Sequence, residues 1–232
     1  MTLLARLCPD RVDSFRADGT LMDLAHPDVM EIDFCFIARR LSKLARFNGT
    51  PEGTAFSVAQ HSVMGAEALL NEGEPAITAA LFLLHDAHES LVGDATRPFQ
   101  DLVFQRIAIQ MPKAAQIFRA AIHDIKAGWD NAIFAAAGLP LPAAWTNRQK
   151  AMVKAMDDRM CAAESRSLFG PAAARLYPVS KFKQPKTKGA IRPWGAMKAE
   201  EAFVNLFIRL IGQERLTEQR AIHAAHMGQE AI

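Results

Sequence analysis

Ala76 to Leu84, AITAALFLL, is a nine-residue run apolar but for Thr78, and it leads straight into His85-Asp86-Ala87-His88-Glu89. Crossing a bilayer takes about 20 apolar residues, so a run this short belongs to a protein core. A buried helix that ends in five residues of this kind carries ionisable groups inward, where an unpaired charge is costly or is lost. Something has to compensate. The choices are a metal ion, solvent at the mouth of a cleft, or a local ion-pair network.

The surrounding chain reads as mostly helix. Glu31 to Arg46 carries Phe34, Ile37, Ala38, Leu41 and Leu44 at helical spacing. Ser57 is placed to cap a helix through Gln60, His61, Met64 and Leu69 that stops near Asn71 to Gly73. Pro75 suits the first turn of a further helix ending near Gly93. Met111 to Ala137 reads as a long helix with breaks. Thr146 caps another from Asn147 to Phe169, closed by Gly170-Pro171. Lys198 to Gly212 and Leu216 to Met227 follow. No sustained alternation of β-branched residues suggests a central sheet, although the first thirty residues have room for a short hairpin. The expected fold is all-α, in one domain over residues 1–232. Its core covers about 31–170, a basic Pro- and Lys-rich loop covers 171–195, and C-terminal helices cover 196–232. That loop reads either as a solvated surface segment or as a basic flap drawing an anionic substrate.

Composition narrows the partners. A formal charge of +2 is too small to draw nucleic acid, and the opening MTLLARLCPD has too short an apolar run for a signal peptide. Cys8, Cys35 and Cys161 are odd in number and widely spaced, which fits a reducing compartment and argues against a thiolate metal site. A cytoplasmic protein without nucleic-acid or membrane partners is expected, and a homodimer is an allowed assembly.

A His-Asp dipeptide by itself decides nothing, since His123-Asp124 is a second one, set among Lys126, Gly128 and Asp130 in a stretch that reads as surface. Context favours His85-Asp86. Adjacent helical residues diverge by about 100°, so a metal beside them needs ligands from other helices. His61 is the obvious donor from the preceding helix, against the ordinary alternative of a satisfied histidine. Asp157 or Asp158 could supply a carboxylate. Asp157 lies next to the apolar stripe of Val153, Met156, Met160 and Ala163, while Asp158 points toward solvent. Two imidazoles with two carboxylates suit one divalent ion: Mn, Fe, Co, Ni, Zn or, less readily, Mg.

The order His61, His85-Asp86, Asp157 resembles the H…HD…D pattern of the HD-domain metal-dependent phosphohydrolases. HDAHESLVGDATRP is similar to the HDAxExxxGDxxxP signature of the bacterial 5′-deoxynucleotidase-like branch of that superfamily. SVAQHS, LARFNG and VKAMDDRMCAAESRSL resemble that branch's segments around the first His, its Arg-aromatic pair and its last ligand. Together these segments span about Leu41 to Leu168. The resemblance implies a helical bundle with the metal between helices, held by His61, His85, Asp86 and Asp157. It further implies a phosphorylated small-molecule substrate, most directly a nucleotide. Branch members carry Trp at the position of Phe47 and Thr at that of Arg97, and both positions are expected to approach the nucleotide.

On this reading Glu89 and Asp94 handle the proton, Arg46 holds phosphate, and Phe47, His88 and Arg97 contact substrate. Glu164 and Arg166 are expected in supporting pairs. Each has an ordinary alternative: a surface carboxylate for Glu89, turn chemistry for Asp94, a solvated helix-end cation for Arg46. Rival chemistries find no support. HESLV lacks the second His of HExxH, and neither a GxSxG elbow nor a GxxxxGK[ST] loop is present. A GYP block is missing, and Glu89 is followed by Ser90 rather than by Asp as in alarmone hydrolases. The expected activity is removal of phosphate from (deoxy)nucleoside 5′-monophosphates. The alternatives are a nucleoside triphosphate hydrolase of the HD type and an idle metal- or nucleotide-binding module.

Overall fold

Strands β1 (Asp13–Phe15) and β2 (Leu21–Asp23) pair antiparallel around a turn at Gly19, whose φ of +88° favours glycine. The computed structural model describes residues 5–176 and 183–230, and all other regular structure in them is helical. The fold is all-α, as the missing strand periodicity requires.

Asp33 caps α1 (Phe34–Leu41), its carboxylate accepting from the N–H groups of Cys35 and Phe36. This helix is shorter at both ends than the sequence reading of 31–46. Val29–Glu31 is a separate 3-10 turn, and Arg46–Gly49 is another. Ser57 caps α2 (Val58–Asn71) as expected, accepting from Gln60 N. Next come α3 (Ala76–Leu83), α4 (Glu89–Val92), α5 (Arg97–Ala108) and α6 (Pro112–Ala136). Thr146 and Gln149 exchange hydrogen bonds in a capping box that starts α7 (Asn147–Leu176). Gly170, at φ +80°, breaks α7 where the sequence predicts its end, but Pro171 opens another short helical stretch. α8 (Ala196–Leu210) and α9 (Gln213–Glu230) complete the described chain.

Three expectations need correction. The helix after Pro75 stops at Leu83, and residues 84–88 form turns before α4 begins. α6 is continuous rather than broken. α5 was not anticipated: Phe99 and Leu102 stand exposed, although Val103, Phe104, Ile107 and Ala108 form a half-buried stripe on a helix that packs against α6, and Pro98 lies in its first turn.

α2 lies at the centre, packed against α3, α7 and α8. One hydrophobic cluster runs from Met22 to Leu216 and includes the fully buried rings of Phe34, Phe56, Phe82, Trp129, Phe134, Phe203 and Phe207. The α2–α3 contact is close because position 65 has no side chain: a methyl there would overlap the Phe82 ring. Gly65→Ala is expected to cost about 1–3 kcal/mol, the usual penalty for overpacking. Urea unfolding measures it, and an unchanged midpoint would show that the ring is free to move aside.

The basic segment is neither loose nor a flap where it is described. Arg159 bonds the Lys183 and Gln184 carbonyls, Lys186 N donates to Glu72, and Lys188 pairs with Glu67. Buried Gln60 grips it further on, donating to Arg192 O and accepting from Trp194 N. Glu67 and Glu72 lie roughly 9 and 16 Å along α2 from His61 at 1.5 Å per residue. The Lys183 and Lys186 backbones and the Lys188 side chain are therefore anchored to α2 and α7. Lys181 lies outside the described residues.

Candidate metal centre

Three elements deliver the four expected ligands. His61 lies in the first turns of α2 and is fully buried. Asp157 comes from α7, and its neighbour Asp158 turns away to pair with Lys154. His85 and Asp86 sit in the turn after α3. The ligand atoms these four residues offer all lie within 4.8 Å of one another. His61 Nε2 is 3.5 Å from Asp157 Oδ1 and 3.9 Å from Asp86 Oδ2, and His85 Nε2 is 3.1 Å from Asp86 Oδ2. His123-Asp124 is exposed on α6, as the sequence implied.

The turn at 84–88 follows from His85 itself. Its Nδ1 lies 2.6 Å from Phe82 O, and its backbone N–H bonds the same carbonyl, so the helical ladder closes early. His61 Nδ1 lies 2.7 Å from Glu164 Oε1. Both partners are acceptors, so both Nδ1 atoms carry the proton and both Nε2 atoms face the cluster. Neither Nε2 has a hydrogen-bond partner, although both are buried; Asp86 is near His85 but out of line for a bond. The Phe82 ring supports both imidazoles, at centroid distances of 4.3 Å from His85 and 5.6 Å from His61.

Two orphaned imidazole nitrogens facing two carboxylates fit an N/O-coordinated divalent cation. Burial works against charge on His85, but Asp86 and Asp157 outweigh it and hold the imidazole well above its usual range. Burial likewise opposes ionisation of Asp86 and Asp157. The neighbouring His85 and His61 overcome it, so Asp86 stays well below the carboxylate range and Asp157 falls to about 2. The cluster thus holds negative charge that a cation can take up.

Glu164 is a supporting residue of this centre. Fully buried, it accepts from His61 and, at 2.9 Å, from Arg46 Nε. Burial opposes its charge, and Arg46 and His61 hold it ionised. Arg46 also approaches Asp86, with Nη1 at 3.8 Å from Oδ2. The next two residues, Phe47 and Asn48, have φ of 55° and 52°, which is unusual for residues other than glycine and strained for a bulky one. This backbone turns the Phe47 ring edge-on to Phe169 at 5.5 Å. Arg166 is exposed, and no pair joins it to the centre among the described residues.

Glu89 and Asp94 behave oppositely to the ligand carboxylates. Burial, reinforced by Asp86 and Asp94, pushes Glu89 up to about 9, and burial also raises Asp94. Burial thus favours the protonated forms of Glu89 and Asp94, while the neighbouring histidines favour the ionised forms of Asp86 and Asp157. His88 is buried rather than at a rim, and its Nδ1 is 2.8 Å from Asp130 Oδ1. The sequence reading placed Asp130 in a surface stretch, and its role was missed. Its one signal is the neighbouring Trp129, too large and apolar to stand in solvent. Arg97 is exposed on the first turn of α5, with no ion pair to the cluster among the described residues.

Among the described residues no helix is long and apolar enough to cross a membrane. No protein-family model matches the chain. An uncharacterized protein of Rhodobacter capsulatus is 39% identical over 84 residues. That match covers 34% of this chain and 42% of the relative, so the chain spans less than half the length of the protein it resembles.

Proposed function

We propose that the protein is a metal-dependent phosphohydrolase of the HD type that removes phosphate from (deoxy)nucleoside 5′-monophosphates. One observation carries this reading: orphaned Nε2 atoms of His61 and His85 converge on Asp86 and Asp157, beside Glu89, which burial holds protonated, and Asp94, whose ionisation burial opposes. His61, His85, Asp86 and Asp157 would hold one divalent ion. When bound, such an ion offsets phosphate charge and acts as a Lewis acid.

The chain's own groups supply the rest. Arg46 is fixed at Nε by Glu164 and keeps guanidinium N–H groups to orient a phosphate. Water attacks phosphorus, the bond from phosphorus to O5′ breaks, and O5′ leaves needing a proton. Glu89, held protonated, donates to O5′ and regains a proton from the attacking water, with Asp94 as the second carboxyl of that relay. Phe47 lies next to Arg46, where an aromatic ring can face a base.

A triphosphate carries about two more negative charges and would want further cations at the mouth. The Lys188 ammonium is tied to Glu67, which favours the monophosphate. Lys126, whose charge acts on Glu89 and Asp94, and Arg97 are the cations to test. Incubation with a nucleotide panel is expected to release inorganic phosphate from deoxynucleoside monophosphates. Arg97→Thr should shift the ratio of deoxy- to ribonucleotide turnover without a steep rise in the monophosphate KM. A wild type that ignores monophosphates and releases tripolyphosphate from a deoxynucleotide would establish the triphosphohydrolase instead. Absence of any hydrolysis with metal bound would leave a binding module.

A further inference from the structure

We propose that Asp86, His88 and Glu89 form a second divalent-cation site that shares the Asp86 carboxylate with the first. Their ligand atoms lie within 4.8 Å of one another. His88 is 4% exposed and Glu89 8% exposed, and His88 Nε2 and Glu89 Oε2 are both buried without a partner. A histidine that merely fills a core normally satisfies both ring nitrogens, and His88 does not. Asp130 accepts from its Nδ1 as Glu164 accepts from that of His61, which leaves Nε2 as the atom turned toward the carboxylates. A carboxylate behind an imidazole is the usual support of a metal-ligating histidine.

The turn geometry explains why the three residues meet. Hydrogen bonds run from Ala87 N to Leu84 O and from Glu89 N to Asp86 O, each at 3.0 Å. At that tighter pitch residues three apart stand over one another, so Glu89 is stacked above Asp86. His88 lies one residue before Glu89 and is steered by Asp130 from α6. The site therefore depends on α3 ending at Leu83.

Three protein ligands leave coordination positions for oxygens of water or phosphate. Ions in two-metal centres stand about 3.5–4 Å apart. Their repulsion makes the second ion the weaker, and the Asp86 and Asp157 carboxylates offset part of it. An ion on Glu89 occupies the oxygens assigned above to proton transfer. Loading of the second site therefore withdraws Glu89 from that duty and leaves it to Asp94.

This inference rests on the metal-centre reading under Proposed function, and its test separates the two. The full-length chain, stripped by chelator, is dialysed against Mn²⁺. It is expected to bind two ions, the second at higher concentration, with an exchange-coupled paramagnetic resonance signal once both are present. His88→Ala should bind one ion. Asp130→Asn, which keeps the side chain's shape, should weaken the second ion about 10- to 100-fold and leave the first unchanged. A single ion in the wild type, or a second whose affinity neither variant alters, overturns the second site and leaves the first standing. Binding of no ion at all overturns both.

Discussion

Glu164→Ala is expected to destabilise the protein by about 3–5 kcal/mol, the cost of stranding a buried charge when its partner is removed. Glu164 is completely buried and answers two groups, the Arg46 guanidinium and the His61 imidazole. Without it Arg46 keeps Asp86, at 3.8 Å, and the charge of Asp157, and the His61 ring loses the acceptor that fixes its Nδ1 proton. Affinity for the first cation should fall about 10- to 100-fold for the second reason alone. Glu164→Gln keeps an acceptor for one neighbour but not the charge, so its loss should be smaller. Urea unfolding of the metal-free protein measures the first effect, and metal titration the second. A loss under about 1 kcal/mol, typical of an exposed ion pair, together with unaltered metal uptake would show that Arg46 and His61 are held by something else.

Glu89→Gln is expected to lower turnover by about 10²- to 10⁴-fold while the first cation stays bound. The same variant should be more stable than the wild type at neutral pH when metal-free. Glu89 ionises near 4.5 in an unfolded chain and near 9 in the folded protein, so between those values the native state binds more protons. Stability then falls as pH rises through that window. Glutamine carries no such liability, so the gap in stability between variant and wild type should widen from about pH 4.5 to about pH 9. Melting curves across that range report it. Retained turnover would assign proton transfer to Asp94 alone, and a pH-independent gap would mean that Glu89 is ionised in the native state.

Much of the convergence of these four residues was legible because they come as a pattern: His61 four residues after a Ser cap, His85-Asp86 at the end of an apolar run, Asp157 beside a helical stripe. The helix interruption at Leu84 was not, because it arises from a side-chain bond of His85 to Phe82 O that competes with helix continuation without changing periodicity. Asp130 was hidden for a different reason. It lies 42 residues from His88, and only the docking of α6 brings the two together. The strap over α2 escaped because its anchoring is mostly backbone, carried by carbonyls of Lys183, Gln184 and Arg192 and the Trp194 N–H, which every sequence possesses. α5 was missed because exposed Phe99 and Leu102 blur the helical stripe of half-buried Val103, Phe104, Ile107 and Ala108.

The bond between His61 and Glu164 also sets a timetable. The two residues are 103 positions apart, and Gln60 is 134 from its partner Trp194. At synthesis rates of 5–20 residues per second, about 5–20 s separate the emergence of His61 from that of Glu164. Through that interval α2 exists with its imidazole unanchored and its glutamine unmet, while His85 and Asp86 are already made. On the proposed metal reading, a nascent chain would offer His61 and His85 to an ion before Asp157 and Glu164 exist. Any choice among ions would then be set only once α7 has been made, at about two thirds of the chain.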